Sequence, residues 1–193
     1  MNTWLDSCTK KELLNIIQAA RKINNNYKRM KDSTILKKII NCYLFIDDII
    51  MHIDNPSEKL QLAAIRENAW AIKYIKKPSK EAQLAAVRKN GYSIQCIHNP
   101  DKDAQLEAVR NNGWSIRFIH DPDKDVQLEA VRQHGSSIQF IHNPDREVQL
   151  EAVRKNGDNI RWIHNPDKEV VAHYLLGVCP DLLMDPKYGL KED

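Results

Sequence analysis

The sequence predicts an all-α protein, an α-solenoid of about six stacked 22-residue two-helix repeats with N- and C-terminal caps. Three observations predict it: a fixed period, a helix-start pattern in each repeat, and an apolar spacing that needs a neighbour on both sides. The period is marked by six prolines, each 22 residues after the previous one: Pro56, Pro78, Pro100, Pro122, Pro144 and Pro166. Five full repeats run from 55 to 164, and a sixth begins at 165 and then departs from the pattern.

The first segment of each repeat is predicted to be an α-helix. The residue before each proline suits an N-cap, whose side chain accepts hydrogen bonds from first-turn amides, and proline at the first helical position loses no bond. Helix formers such as "AQLEAVR" follow, and the next glycine suits a left-handed C-cap. The helix should span about twelve residues, or about 18 Å. The predicted N-caps are Asn99, Asp121, Asn143 and Asn165, and the predicted C-caps are Gly113, Gly135 and Gly157.

The second segment, for example "WSIRFIH" at 114–120, is too short for more than one or two helical turns. Its apolar spacing repeats that of "AQLEAV" and covers about 200° of a helix circumference, so the helix must be buried on two sides. One repeat cannot supply both neighbours, which explains the repetition. The same spacing also alternates like a strand, and Asn-Gly before it is a hairpin signal. The all-helical interpretation is favoured, with the second segment left open between a short α-helix, a 3₁₀ helix and a strand.

The ends of the chain are expected to differ from the repeats, because terminal repeats must close the core with an atypical outer face. Four regions are predicted. Residues 1–32 form a basic N-terminal helix and linker, and 33–54 form a degenerate capping repeat. Residues 55–164 are the five full repeats, and 165–193 form a partial repeat and C-terminal cap.

Charge and cysteine usage narrow the class of protein. Residues 1–40 contain nine Lys/Arg and three Asp/Glu, whereas residues 41–193 contain twenty and twenty-three. A basic segment of this kind is most often a solvated helix surface, although it also suits a nucleic acid or an acidic partner. The four cysteines are scattered, no signal-peptide pattern begins the chain, and no apolar run is long enough to cross a bilayer. We therefore expect a cytoplasmic protein with reduced thiols and no membrane association.

The run "NPDKDAQLEAVRNNG" at 99–113 resembles short helical repeats of the HEAT-like and leucine-rich-variant kind. It is also similar to an uncharacterised short-repeat domain whose units follow the pattern EVxLAAVxxNG. The likeness covers about residues 55–176. It implies a right-handed α-solenoid that serves as a binding scaffold, and it implies no catalytic residues.

Two rows of repeated polar residues are expected to be structural. Metal ligands must lie within about 2.1 Å of one ion, whereas neighbouring helices are about 8–10 Å apart, so a metal role is the weaker alternative for the histidines. The glutamines fall within the apolar arc, so we expect buried amides that bridge to a neighbouring turn rather than contact a ligand. The histidines are His98, His120, His142 and His164, and the glutamines are Gln61, Gln83, Gln105, Gln127 and Gln149.

Function is expected in the rows that vary between repeats, because stacking accounts for the invariant ones. Nearly all acidic residues of the repeats lie in the first segments, so the second segments form a neutral-to-basic ridge that contains aromatic residues. Exposed Trp, Tyr and Arg are frequent binding hot spots, although the aromatic row could instead belong to the core. The predicted binding residues are Trp70, Lys73, Tyr92, Trp114, Arg117 and Arg161.

These features predict a non-enzymatic scaffold, an adaptor or an inhibitor, that binds another protein along the second-segment ridge. No nucleophile elbow, phosphate loop or HExxH pattern occurs, so we expect no enzyme activity, no metal and no cofactor. The alternative is binding of a single-stranded nucleic acid or a nucleoprotein, with aromatic rings stacked on bases and Lys/Arg on phosphates. Inhibition of a nucleic-acid-targeting complex would combine the two.

Overall fold

The computed structural model describes residues 8–23, 28–32 and 49–178. Within these ranges the chain is all-helical, without a strand, and its helices pack in sequential order as in an α-solenoid. The predicted fold class is therefore confirmed. Most of the predicted N-terminal capping repeat (33–48) and the end of the chain (179–193) lie outside the described residues, and the four-region division stays a prediction.

Each repeat contains one α-helix and one 3₁₀ helix, joined by a single residue. The α-helices are α1 (Lys10–Ile23), α2 (Glu58–Glu67), α3 (Lys80–Lys89), α4 (Lys102–Asn111), α5 (Lys124–Gln133), α6 (Arg146–Lys155) and α7 (Lys168–Val178). The 3₁₀ helices are η1 (Ala69–Tyr74), η2 (Gly91–Cys96), η3 (Gly113–Phe118), η4 (Gly135–Phe140) and η5 (Gly157–Trp162). The second segment, left open from the sequence, is thus a 3₁₀ helix in all five full repeats.

An asparagine at the junction caps the 3₁₀ helix in four of the five full repeats. Asn112 has an extended backbone, and its side chain accepts a hydrogen bond from the amide of Trp114 at 3.0 Å. At the other end the amide of Ile119 donates to the carbonyl of Ile116 at 3.0 Å. Six residues are too few for the longer α-helical bonding pattern to gain much, so the tighter i to i+3 pattern is favoured.

The predicted N-caps were wrong by two residues. The Asn or Asp before each proline has a positive φ, for example 50° at Asn99 and 49° at Asp121, and therefore lies in the left-handed region. Asn and Asp tolerate that conformation better than other residues with a Cβ, and here it precedes the turn into the helix. The α-helix begins later, and the side chain of Asp123 accepts from the amide of Val126. Ser57 and Ser79 cap α2 and α3 in the same way.

The predicted glycine C-caps were also wrong. No described glycine has a positive φ, and the residue that ends the α-helix is the extended residue before it, such as Asn90. The glycine is required for a close approach instead: a Cβ on Gly113 would lie 2.5 Å from the carbonyl oxygen of Ala130 in α5. Each complete repeat α-helix has ten residues. The prediction of about twelve was too long because it placed both ends of the helix wrongly.

The structure divides into two compact units, Met1–Ala104 and Gln105–Asp193. In the first, α2 packs on α3 and on η1, and η1 packs on η2. In the second, α5, α6 and α7 form one layer, and η3, η4 and η5 form a second layer packed against it. The 3₁₀ layer of the second unit exposes the surface that we call the 3₁₀ ridge, residues 113–118, 135–140 and 157–162.

The core of each unit repeats the same positions. In the second unit the fully buried residues come from one face of each α-helix and from the third residue after Gly113 and Gly135. They include Ala108, Val109, Ile116, Val126, Ala130, Val131, Ile138, Val148 and Ala152. Over the residues that the structure describes, no helix has the length and apolar character needed to span a membrane.

Candidate protein-binding ridge

The glutamine row is structural, as predicted, at Gln61, Gln83 and Gln149. Gln149 donates from Nε2 to the carbonyl of Pro144 at 2.8 Å, and its Oε1 accepts from the amide of Asp167 in the next turn at 3.0 Å. Gln61 makes the same pair of bonds with Pro56 and Ser79, each at 2.9 Å. Because these amides are committed to backbone groups, they are not available to a ligand.

The histidine row has no metal-site geometry. His98, His120, His142 and His164 are all exposed. In the ranges that the structure describes, no group of three or more His, Cys, Asp or Glu side chains converges on a point. Within the described part of the chain, the structure shows no bond that would explain why histidine recurs at this position.

Three of the six predicted binding residues lie in the first unit. Trp70 and Tyr92 are half-buried. They are therefore neither fully exposed binding residues nor fully buried core residues. Lys73 is exposed and places its Nζ 4.5 Å from the centre of the Tyr74 ring. That distance is within the range of a cation–π contact.

The other three lie in the second unit, on the 3₁₀ ridge. The side chain of Trp114 is 41% exposed, and its Nε1 donates to Ser136 Oγ at 3.2 Å. Arg117 is exposed and places its Cζ 4.5 Å from the ring centre of Phe118. Trp114 and Arg117 are three residues apart, so they lie on one side of a 3₁₀ helix.

Arg161 forms the same kind of pair on η5, with its Cζ 5.0 Å from the ring centre of Trp162. Between the two pairs, on η4, Gln139 replaces the arginine and donates from Nε2 to the carbonyl of Ser136 at 2.9 Å. The ridge of the second unit therefore carries a cation–aromatic pair on its first and third helices and a neutral amide beside Phe140 on its middle helix.

The sequence-based prediction missed two ridge residues. Phe140 and Trp162 are 39% and 44% exposed, although their position had been assigned to the apolar template. The sequence did contain a signal for this position, since its residue varies between the five repeats. The residues are Tyr74, Cys96, Phe118, Phe140 and Trp162. An amphipathic α-helical template could not separate them from the core, because a 3₁₀ helix turns about 120° per residue rather than 100°.

Electrostatics differ between the two layers of the second unit. The three 3₁₀ helices of the second unit contain one acidic residue, Asp158, and two basic residues, Arg117 and Arg161. The α layer instead forms ion pairs between the starts of consecutive helices: Lys124 with Glu147 at 2.6 Å, and Arg146 with Glu169 at 2.7 Å. The hydrogen bond from Lys124 and its charge lower the pKa of Glu147, and the same contact raises the pKa of Lys124.

These features define a helical repeat protein with an exposed ridge of aromatic and basic side chains. Residues 101–144 and 123–167 each match the family model described as a domain of unknown function, DUF4116. The two matches start 22 residues apart and each covers about two repeats, which agrees with the repeat period in the structure. No curated protein and no solved structure matches the chain.

Proposed function

We propose that the chain is a non-enzymatic, cytoplasmic protein-binding scaffold, an adaptor or an inhibitor, that binds its partner through the 3₁₀ ridge of the second unit. Its repeats are proposed to be of the HEAT-like or leucine-rich-variant kind. One observation carries the functional proposal: three large aromatic side chains, Trp114, Phe140 and Trp162, are about 40% exposed on consecutive 3₁₀ helices.

Exposed aromatic residues beside arginines favour a protein partner for a physical reason. Trp, Tyr and Arg dominate interface hot spots because they bury a large area and still offer polar contacts. Two of the three exposed rings are also held in place, since Trp114 is hydrogen-bonded to Ser136 and the Trp162 ring is covered by the guanidinium group of Arg161. Pre-positioned side chains lose less conformational entropy when a partner binds.

A single-stranded nucleic acid is the second candidate, because arginines and aromatic rings in one row could stack on bases. Charge argues against it. From Gln105 to Val178 the chain contains nine Lys/Arg and eleven Asp/Glu. Nucleic-acid binding depends mainly on cations that neutralise phosphates, and an acidic unit with two ridge arginines offers few of them.

The proposal is tested by an affinity pull-down from cell lysate, with and without nuclease. The wild-type chain is compared with a triple ridge variant (W114A, F140A, W162A) and with a control that changes exposed residues of the α layer (R132A, R154A). We expect one protein to be retained after nuclease treatment by the wild type and the control and lost with the ridge variant. Retention that disappears with nuclease would support the nucleic-acid candidate, and retention unchanged by the ridge variant would contradict the proposal.

Circular dichroism and thermal unfolding of all three chains establish that they are folded. Because the substituted rings are partly exposed, their loss should leave the helical spectrum intact. If the triple variant unfolds, the single variant F140A replaces it, since that ring is exposed and does not pack under a guanidinium group.

A further inference from the structure

The first unit carries the positive charge of the chain. Residues 1–104 contain eighteen Lys/Arg and eleven Asp/Glu, whereas residues 105–193 contain eleven and fifteen. The charge that argues against a nucleic acid at the 3₁₀ ridge therefore favours one on the first unit. We infer that the first unit binds the phosphate backbone of a nucleic acid, independently of base sequence, through four cations beside the end of α1. The four, which we call the α1 patch, are Lys22, Lys28, Arg29 and Lys31.

This inference concerns a different surface and a different partner from the proposed function and does not rest on it. It begins from Arg21, which brings the patch together. From the last turn of α1 its Nη2 donates to Asp32 Oδ1 at 2.6 Å and to the carbonyl of Met30 at 3.2 Å. Residues 28–32 are therefore held against the last turn of α1, which also carries Lys22.

The acidic residues of this part of the chain are already bonded. Over 8–23 and 28–32 they are Glu12 and Asp32, and Asp32 accepts from Arg21. Glu12 begins α1, where it accepts from the amide of Thr9 at 2.7 Å and from the hydroxyl of Ser57. The four patch cations are exposed, and none of them bonds to another described residue. Their charge is therefore not neutralised within the described part of the chain.

The helix dipole accounts for only part of this pattern. A cation near a helix C-terminus is favoured, which explains Lys22 in the last turn of α1. Lys28, Arg29 and Lys31 lie outside that helix, and like charges held close together repel one another. The bonds of Arg21 nevertheless hold their segment in place. An anionic ligand would remove the repulsion, which gives the cluster a function.

The surroundings of the patch favour a nucleic acid over other anionic partners. Protein interfaces are anchored by aromatic residues, and the described residues before 33 contain none. A helix that binds a lipid surface inserts an apolar face, but Ile16 and Ile17 of α1 are buried in the protein. Leu14 is exposed on α1, but it lies about 12 Å along the helix from Lys22. Cations without apolar anchors suit a phosphate backbone, which is recognised by charge.

The number of cations predicts the salt dependence of binding. Each neutralised phosphate releases counterions, so log K falls with log salt by about 0.9 per contact for duplex DNA and about 0.7 for a single strand. Four contacts give slopes of about −3.6 and −2.8. Screening limits the reach of each charge to about 8 Å at physiological salt. The local cluster therefore matters more than the net charge of the whole chain, which is +3.

The inference is tested by fluorescence anisotropy with the full chain, between about 50 and 200 mM NaCl. The probes are two short labelled DNA duplexes of unrelated sequence and a labelled single strand. The patch variant changes all four cations to glutamine (K22Q, K28Q, R29Q, K31Q). A charge-matched control changes four exposed cations of the second unit that bond to no other described residue (R132Q, R154Q, K155Q, K168Q). Circular dichroism establishes that the variants are folded, and the four single variants replace the patch variant if it is not.

We expect the two duplexes to bind equally well. The patch variant should bind at least about a hundredfold more weakly at the lowest salt, with a slope near zero. Each single patch variant should reduce the slope by about 1. The control should bind as the wild type does, although it loses the same charge, and so should the triple ridge variant of the pull-down.

Several results would overturn the inference. Equal weakening by the patch variant and the control would show that net charge alone is responsible. No DNA binding at the lowest salt would also overturn it, and patch-dependent binding to phosphatidylserine-containing vesicles or to polyglutamate would then identify the other anionic partner. None of these results bears on the ridge, which is tested by nuclease-resistant capture, so the two proposals fail separately.

Discussion

The imidazole of His134 and the indole of Trp114 lie with their ring centres 5.5 Å apart, although the two residues belong to consecutive repeats. In the other four repeats the position of His134 is an asparagine, whose side chain caps the following 3₁₀ helix. His134 makes no such side-chain bond. Helix η4 thus lacks its cap, and the side chain that would provide it contacts a ridge tryptophan instead.

Substitution of His134 by asparagine should therefore stabilise the protein. The new side chain is expected to accept from the amide of Ser136, as the side chain of Asn112 accepts from that of Trp114. A cap of this kind contributes about 1 kcal/mol. Urea unfolding should show a higher free energy of unfolding for H134N, and H134A should not share the gain. A decrease in stability for H134N would show that the contact with Trp114 matters more than the cap.

The glutamine bridge should be among the most sensitive polar sites. In Q149L the carbonyl of Pro144 and the amide of Asp167 lose the partner they have in the wild type. An unsatisfied buried polar group costs about 1–3 kcal/mol. Because water can reach the two groups in part, we expect the free energy of unfolding to fall by about 2–4 kcal/mol. Gln139 is exposed, and Q139L is the matched control, expected within about 0.5 kcal/mol of the wild type. Equal unfolding midpoints in urea for the two variants would contradict the bridge.

The glycines at the start of the 3₁₀ helices should not tolerate a methyl group. In G113A the new Cβ meets the backbone carbonyl of Ala130, which cannot move independently of α5. Overpacking of this kind costs about 1–3 kcal/mol. At Gly177, in α7, a Cβ meets no atom of the described residues within 4 Å, so G177A should instead stabilise the helix by up to about 1 kcal/mol. Thermal unfolding of the pair measures both effects, and a stabilising G113A would refute the close approach.

The ion pairs of the α layer predict a pH dependence. The pKa of Glu147 is lowered by the hydrogen bond and charge of Lys124, so its contribution to stability is present above its ordinary pKa and is lost as the pH falls through the folded value. The pKa of Lys124 is raised, so its contribution to stability is present below its ordinary pKa and is lost as the pH rises through the folded value. Both groups are exposed, and the effect should be small and weakened by salt.

The measurement is the unfolding midpoint in urea from pH 7 to pH 3, for the wild type and E147Q. The variant should lose less stability over the acid range, since it no longer contains that carboxylate. The K124M variant should behave as E147Q does, because either change removes the pair. Identical acid profiles for the wild type and both variants would mean that the pair does not contribute.

Much of the fold could be predicted from the sequence, because a repeated pattern supplies the same evidence several times. The 22-residue period, the α-helix in each first segment and the glutamine bridge at Gln149 all followed from spacing and burial of polar groups. The cap positions could not be predicted. Asn and Asp suit both an N-cap and a left-handed residue, and only the structure shows that Asp121 is left-handed and Asp123 is the cap.

The candidate site was predicted in part. Trp114, Arg117 and Arg161 do lie on the exposed ridge of the second unit, whereas Phe140 and Trp162 were missed because an α-helical periodicity was applied to 3₁₀ helices. Trp70 and Tyr92 had the same sequence pattern as Trp114 but are half-buried. Pattern alone could not distinguish these cases, since exposure depends on the neighbouring repeat.

Hydrogen exchange of the complex recovered with the wild-type chain tests the central claim most directly. Backbone amides of 113–118, 135–140 and 157–162 should exchange more slowly in the complex than in the free chain, while those of α5 and α6 should change little. Protection confined to the α-helices, with the 3₁₀ helices exchanging as they do in the free chain, would contradict the ridge as the binding surface.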